Sequence, residues 1–164
     1  MITIGSTIFH IDKRNKMITQ VVKQIRWSMG HRLVKEYPGK CKNLHGHEYL
    51  AEIKIATQKL DRFDFVVDFK DIKDKIKNWI DDNWDHGCMV SAKDTDLMDW
   101  LDSNNQKMFV IDDNSTAENI ARYLFEIVDE TLADERLWCS SIKVWETPDS
   151  YAEVQRNANK MLPE

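Results

Sequence analysis

A chain of 164 residues with 42 % hydrophobic and 31 % charged residues has the apolar content of an ordinary globular protein and the length for one core. Its net charge of −5 argues against the basic footprint that general nucleic-acid binding requires, and no apolar stretch approaches the length of a membrane span. Three widely spaced cysteines fit reduced thiols rather than a disulfide framework, and Met1-Ile2-Thr3-Ile4-Gly5-Ser6 lacks the blocks of a signal peptide. The expectation is one cytoplasmic domain over 1–164 with no nucleic-acid or membrane partner.

Residues 1–18 form an N-terminal extension whose weak pattern allows a short hairpin; it holds His10 and the basic group Lys13, Arg14 and Lys16. A strand is expected from about 20 to 28, and its alternation continues onward: Val21, Ile25, Trp27, Met29 and His31 share a parity, with Lys23 the exception. Arg32, Lys35, Lys40 and Lys42 then crowd together, which fits attraction of a phosphate and solvated surface charge equally well.

Next comes Cys41-Lys42-Asn43-Leu44-His45-Gly46-His47, a thiol and two imidazoles within seven residues, leading into a strand at about 46–57. Side chains two apart in a strand project together, so His45 and His47 point the same way, on the parity of Tyr49, Ala51, Ile53 and Ile55. His31 lies on the apolar parity of the neighbouring strand and is the best third ligand. Three nitrogens with an open fourth position are the pattern of a catalytic zinc, whereas a structural zinc closes its shell with four ligands. Cys41 is the alternative fourth ligand. Against that reading, structural sites usually draw on paired cysteines, and neither Cys88 nor Cys139 has a near partner.

Asp61 to Phe69 reads as a turn and a short apolar segment. A helix follows, with Ile72, Ile76, Trp79 and Ile80 on one face, ending near Asn83. Asp85-His86, a carboxylate beside an imidazole, is a candidate acid–base pair. Residues 87–114 form a variable segment without a long periodic element, although Met108-Phe109-Val110-Ile111 fits a strand. Ser115-Thr116-Ala117-Glu118 reads as a capping box opening a second helix whose stripe is Ile120, Leu124, Ile127, Val128 and Leu132. Capping accounts for Glu118 and leaves any ligand role secondary. The last strands are expected at Trp138–Glu146 and from Tyr151, across the turn Thr147-Pro148-Asp149-Ser150. Glu146 shares the parity of Ile142 and Val144, so its carboxylate needs a donor pair, which a heterocycle with adjacent N–H groups supplies. The order ββααββ predicts an α+β fold, an antiparallel sheet with two helices on one face. Its two open edges favour a homo-oligomer.

Gly30-His31-Arg32-Leu33, the Cys-x3-His-Gly-His of 41–47, Val67-Asp68-Phe69, Asp85-His86, Thr116-Ala117-Glu118-Asn119 and Glu146-Thr147 together resemble the 6-pyruvoyl-tetrahydropterin synthase and 6-carboxytetrahydropterin synthase family, over roughly residues 20–156. The three-residue spacing between cysteine and His-Gly-His is similar to the 6-carboxytetrahydropterin synthases of the queuosine and 7-deazaguanine pathway. The resemblance implies the T-fold, assembled into barrels and stacked as a hexamer, a dimer of trimers. It also implies a lyase with Zn2+ held by His31, His45 and His47, Cys41 moving a proton at the substrate side chain, and Asp85 and His86 as a second proton-transfer dyad supplied by a neighbouring subunit. Glu146 is implied as the anchor of the pterin, aided by Thr116 and Glu118. The implied substrate is 7,8-dihydroneopterin triphosphate. The alternatives are 6-pyruvoyl-tetrahydropterin formation without carbon–carbon cleavage, or a non-catalytic, zinc-stabilised pterin-binding or oligomerisation protein. The loop after His86 departs from the family pattern.

Overall fold

Alternation of apolar and polar residues dictates the centre of the fold. In the computed structural model, which describes residues 2–4, 7–9, 17–34 and 36–157, strands β3 (Thr19–His31) and β4 (His45–Thr57) pair antiparallel. Their register runs from Thr19 opposite Thr57 to His31 opposite His45. Ile25, Trp27, Met29, Tyr49, Ala51, Ile53 and Ile55 are buried on one face, while Gln24, Arg26 and Glu48 are exposed on the other. The period of two thus sorts core from solvent along both strands, and Lys23 is half-buried on the inner face, where its ammonium lies 6.0 Å from the centre of the Phe69 ring. Strand β7 (Leu137–Thr147) adds to β4, and β8 (Ser150–Gln155) folds back on β7, both antiparallel.

The helices cover the inner face. The first is built from α1 (Phe69–Ile72), a π-helical turn at Lys73–Lys77 and α2 (Asn78–Asn83). Its start is capped by Asp68, whose carboxylate accepts the Lys70 N–H at 2.7 Å. Ile72, Ile76 and Ile80, four residues apart, are fully buried. Helix α4 (Ala117–Leu132) buries Ile120, Leu124, Val128 and Leu132 at the same spacing. Each such side chain contributes about 1.5–3 kcal/mol by leaving water, which is why these helices hold although each is short for an isolated one.

The start of α4 differs from the capping-box expectation. Its N-cap is Thr116, whose hydroxyl accepts the Asn119 N–H at 3.4 Å. Ser115 is fully buried and its hydroxyl donates to the Arg32 carbonyl at 3.1 Å, so it is not available to cap. Glu118 is thereby released from the reach-back role.

The variable segment also differs from expectation. It holds β5 (Gly87–Ser91), helix α3 (Thr95–Ser103) and β6 (Met108–Ile111). Strand β5 runs parallel to β3 over Met29–His31, and β6 runs parallel to β5. The ββααββ frame is present, but the sheet is six-stranded and mixed, in the order β6-β5-β3-β4-β7-β8. Strand β6 falls where Met108 to Ile111 fitted one, whereas β5 escaped the alternation test because it is buried on both faces from Cys88 to Ser91. Helix α3 buries only Leu97 and Leu101, against Cys88 and Val90.

A hairpin, β1 (Ile2–Ile4) with β2 (Thr7–Phe9), forms a separate two-stranded sheet, as the weak N-terminal pattern allowed. His10, Lys13, Arg14, Lys16 and Lys35 lie outside the described residues. No helix among the described residues is long and apolar enough to cross a membrane.

Candidate metal centre and its cleft

The alternation that buries Trp27 and Tyr49 carries on to the ends of β3 and β4, where the inner face changes from apolar side chains to imidazoles. Cross-strand pairing places His31 opposite His45 and Met29 opposite His47. The ring centres are 4.5 Å apart for His31 and His45, 5.2 Å for His31 and His47, and 5.1 Å for His45 and His47. Between the two histidines Gly46 lets the strands approach closely, because a Cβ there would meet the Met29 carbonyl oxygen at 3.1 Å. Beneath the rings Tyr49 stacks on Trp27 at 5.4 Å, giving the cluster a rigid aromatic floor.

The rings are oriented from behind. His31 Nδ1 is 2.6 Å from the Ser115 carbonyl oxygen and His45 Nδ1 is 2.8 Å from that of Asn43. A carbonyl only accepts, so each Nδ1 carries the proton and each Nε2 presents a lone pair. His31 is 2 % exposed, and its buried Nε2 has no hydrogen-bond partner. Burial pushes the His31 pKa down to about 4; the Ser115 bond works against this, and repulsion from His45 and His47 adds to it. The ring is therefore neutral near pH 7, as a metal ligand must be.

One nitrogen from each of the three histidines lies within 4.8 Å of the others, close enough for a single ion to draw them in by side-chain rotation. The donor set and the orphaned Nε2 fit a divalent metal of zinc type, with carbonyls fixing the tautomers as second partners usually do. Cys41 is not part of this group; it sits exposed in the short turn Lys40–Lys42 and lines the cleft beside His31. Burial raises the thiols of Cys88, to about 11, and of Cys139, and both are out of solvent.

The cleft measures about 260 Å³ and is walled by His31, Leu33, Cys41, Thr116, Glu118 and Glu146, with Ser150 to Ala152 of the edge strand β8. Glu146 Oε1 is 3.8 Å from His31 Nε2, and the same carboxylate borders a second hollow of about 610 Å³ lined by Arg26, His47, Glu48 and Trp145. Metal ligands, thiol and candidate anchor therefore meet around one carboxylate. Glu118, freed from capping, faces the cleft rather than the helix end.

Asp85 and His86 are together but elsewhere. The His86 ring is 2.8 Å from Asp85 Oδ2, and Asp85 Oδ1 accepts the Ser28 N–H at 2.8 Å. His86 has a φ of 56°, donates its own N–H to the Ser28 carbonyl at 2.7 Å, and has a side chain 80 % exposed. Burial pushes the Asp85 carboxyl up, but the Ser28 N–H and His86 outweigh it and hold the carboxyl below its ordinary range. Both bonds to Ser28 are to its main chain, and neither Asp85 nor His86 lines this chain's own cleft.

Comparison with known proteins shows the family. The family model described as 6-pyruvoyl tetrahydropterin synthase matches residues 20–157. The chain belongs to this family. It is 38 % identical over 134 residues to the 6-carboxy-5,6,7,8-tetrahydropterin synthase of Rickettsia conorii, covering 80 % of this chain and 96 % of that one. It is 34 % identical over 142 residues to the protein of the same name from Haemophilus influenzae, covering 83 % and 98 %. Among solved structures, an uncharacterized protein from Wolinella succinogenes superposes with a TM-score of 0.74 at 20 % identity, over 86 % of this chain and 99 % of that one. The 6-pyruvoyl tetrahydropterin synthase of Caenorhabditis elegans superposes with a TM-score of 0.62 at 23 % identity, over 86 % and 97 %. These two carry the fold: the curled sheet and its helices are the T-fold.

Within this family frame, two features of the site lay beyond sequence reasoning. One is the Ser115 carbonyl behind His31; main-chain acceptors leave no mark in a sequence. The other is the partner of Arg32, which the sequence left between attraction of a phosphate and solvated surface charge. Its guanidinium is held by Asp94, with Nε to Oδ2 at 2.5 Å and Nη2 to Oδ1 at 2.6 Å. Lys40 and Lys42 do remain exposed on either side of Cys41.

Proposed function

We propose that the chain is a zinc-dependent 6-carboxy-5,6,7,8-tetrahydropterin synthase acting in queuosine and 7-deazaguanine biosynthesis. Its substrate is 7,8-dihydroneopterin triphosphate, which with one water gives 6-carboxytetrahydropterin, acetaldehyde and triphosphate. The observation that carries this reading is the meeting of three clustered imidazoles, two of them oriented by main-chain carbonyls, with an exposed thiol and a partly buried carboxylate, in a chain whose relatives bear that name.

His31, His45 and His47 hold the metal. When bound, zinc supplies Lewis acidity at the side-chain oxygens of the substrate and makes the neighbouring C–H and O–H protons more acidic. Glu146 accepts two adjacent N–H groups of the pterin edge, which offsets the cost of burying its charge and fixes the side chain toward His31. Thr116 and Glu118 border the same wall. Cys41, exposed in the same cleft, moves a proton at the side-chain carbon. Lys40 and Lys42 offer exposed ammonium groups to the triphosphate.

Asp85 and His86 form the second proton relay, and they act on the cleft of a neighbouring copy. Two observations favour this. Neither dyad residue lines this chain's own cleft, and the His86 side chain is 80 % exposed. The cleft opens at the edge strand β8, and its volume of about 260 Å³ falls below the ~300–1,000 Å³ usual for small-molecule sites. A copy joined through the sheet edges supplies the missing wall, and a hexamer, a dimer of trimers in the cytoplasm, follows from the family resemblance.

The test is direct: metal-analysed protein is incubated with 7,8-dihydroneopterin triphosphate and the products identified by mass. Acetaldehyde with a 6-carboxy pterin supports the reading. A 6-pyruvoyl pterin without acetaldehyde assigns the chain to the elimination reaction instead. Absence of any product from a zinc-loaded oligomer leaves a pterin-binding or assembly role.

A further inference from the structure

Arg32 and Asp94 take no part in the proposed chemistry, yet they form a buried ion pair beside the best-buried metal ligand. Arg32 is the residue immediately after His31, at the point where the chain leaves the sheet. Its guanidinium makes two parallel bonds to the Asp94 carboxylate, at 2.5 and 2.6 Å, and Asp94 is 5 % exposed. Asp94 is itself fixed between β5 and α3: its N–H donates to the Ser91 carbonyl at 2.9 Å and its carbonyl accepts the Met98 N–H at 3.1 Å. The same stretch of chain is held from the other side. Ser115 Oγ donates to the Arg32 carbonyl, the Val34 N–H donates to Asn114 Oδ1 at 3.1 Å, and the Ser115 carbonyl accepts from His31 Nδ1.

These contacts form one connected path from Asp94 to the ligand. The guanidinium fixes the Arg32 peptide, that carbonyl fixes Ser115, and Ser115 fixes the plane and tautomer of His31. The path ties the β5–α3–β6 insertion to the metal centre. Only a planar fork matched to a carboxylate can hold Arg32 in this way; a lysine keeps the charge but loses the second bond.

We propose that Arg32 and Asp94 form a positioning clamp for His31, acting through Ser115, and that the insertion thereby sets the affinity of the metal site. This rests on the metal reading above. Partners behind a ligating histidine commonly change metal affinity about 10–100-fold when removed.

The experiment measures zinc dissociation constants by chelator competition on the full chain, together with the visible absorption of the cobalt(II)-loaded protein and the melting temperature of the metal-free protein. Asp94→Asn is expected to weaken zinc binding by roughly 10–100-fold and to alter the cobalt spectrum. Arg32→Lys and Ser115→Ala are expected to do the same to a smaller degree. Arg156→Lys is the control; it loosens another ion pair, with Asp129, and lowers melting without touching zinc affinity. If Asp94→Asn does not fold, Arg32→Lys and Ser115→Ala carry the test. Wild-type affinity and an unchanged cobalt spectrum in folded clamp variants, with lower melting alone, overturn the clamp and leave the metal reading intact. A wild-type protein that takes up neither zinc nor cobalt stoichiometrically overturns the metal reading and the clamp with it.

Discussion

The three-histidine cluster and the Asp85–His86 dyad are built in opposite ways from similar chemical groups. In the cluster, the imidazoles grow out of two long paired strands beside Tyr49, which stacks on Trp27, and those of His31 and His45 are turned by carbonyls; His31 is 2 % exposed. The dyad sits where α2 hands over to β5, held through main-chain bonds to Ser28 and Ile80 and by Lys107, with the His86 side chain 80 % exposed. The difference underlies the proposal that the cluster works within one chain and that the dyad serves the cleft of a neighbouring copy. A ligand set needs preorganised lone pairs, which a rigid sheet supplies. A proton relay needs a substrate, and this chain's own cleft does not supply one at the dyad.

Removing a member of the rigid region has the largest effect. His31→Ala leaves two imidazoles and is expected to abolish stoichiometric zinc uptake, as read by metal analysis after dialysis; full zinc content would break the comparison at its stronger end. The dyad responds differently. His86→Ala is expected to keep zinc and lose roughly 100–10,000-fold in turnover, the usual contribution of a positioned acid–base group. Subunits carrying His86→Ala, refolded together with subunits carrying Cys41→Ala, are expected to regain turnover that neither shows alone. No recovery in mixed oligomers would place both groups in one chain's site. The smallest effect is on stability. Asp85→Asn removes the charge that the Ser28 N–H stabilises and is expected to cost roughly 1 kcal/mol near neutral pH. Because the folded fold holds this carboxyl below its ordinary range, its contribution is present above the unfolded value of about 3.9 and is lost as pH falls through the lowered one. The gap between wild type and variant in denaturant unfolding should therefore close in acid.

How far the sequence reached follows the same division. His31 was legible because a strand repeats every two residues, and β3 carries that repeat, with Lys23 the one exception, as far as the ligand. Glu146 was legible by the same rule, from Ile142 and Val144. The position of the dyad was not, since parity says nothing about a residue in a turn with positive φ. The insertion was hidden for another reason: β5 is buried on both faces, and α3 marks itself only by Leu97, Met98 and Leu101. Those three residues are a usable helix signal in retrospect. Nothing in the local pattern announced that Asp94, one residue before that helix, would claim Arg32 from 62 positions away.

The central claim is that three imidazoles hold the metal and the Cys41 thiol stays outside the shell, facing the substrate. Measuring zinc content and 7,8-dihydroneopterin triphosphate turnover on one preparation of Cys41→Ala tests it most directly. The account predicts wild-type zinc stoichiometry with turnover reduced at least about 100-fold. Loss of zinc from the folded variant, or turnover at the wild-type level, would contradict it.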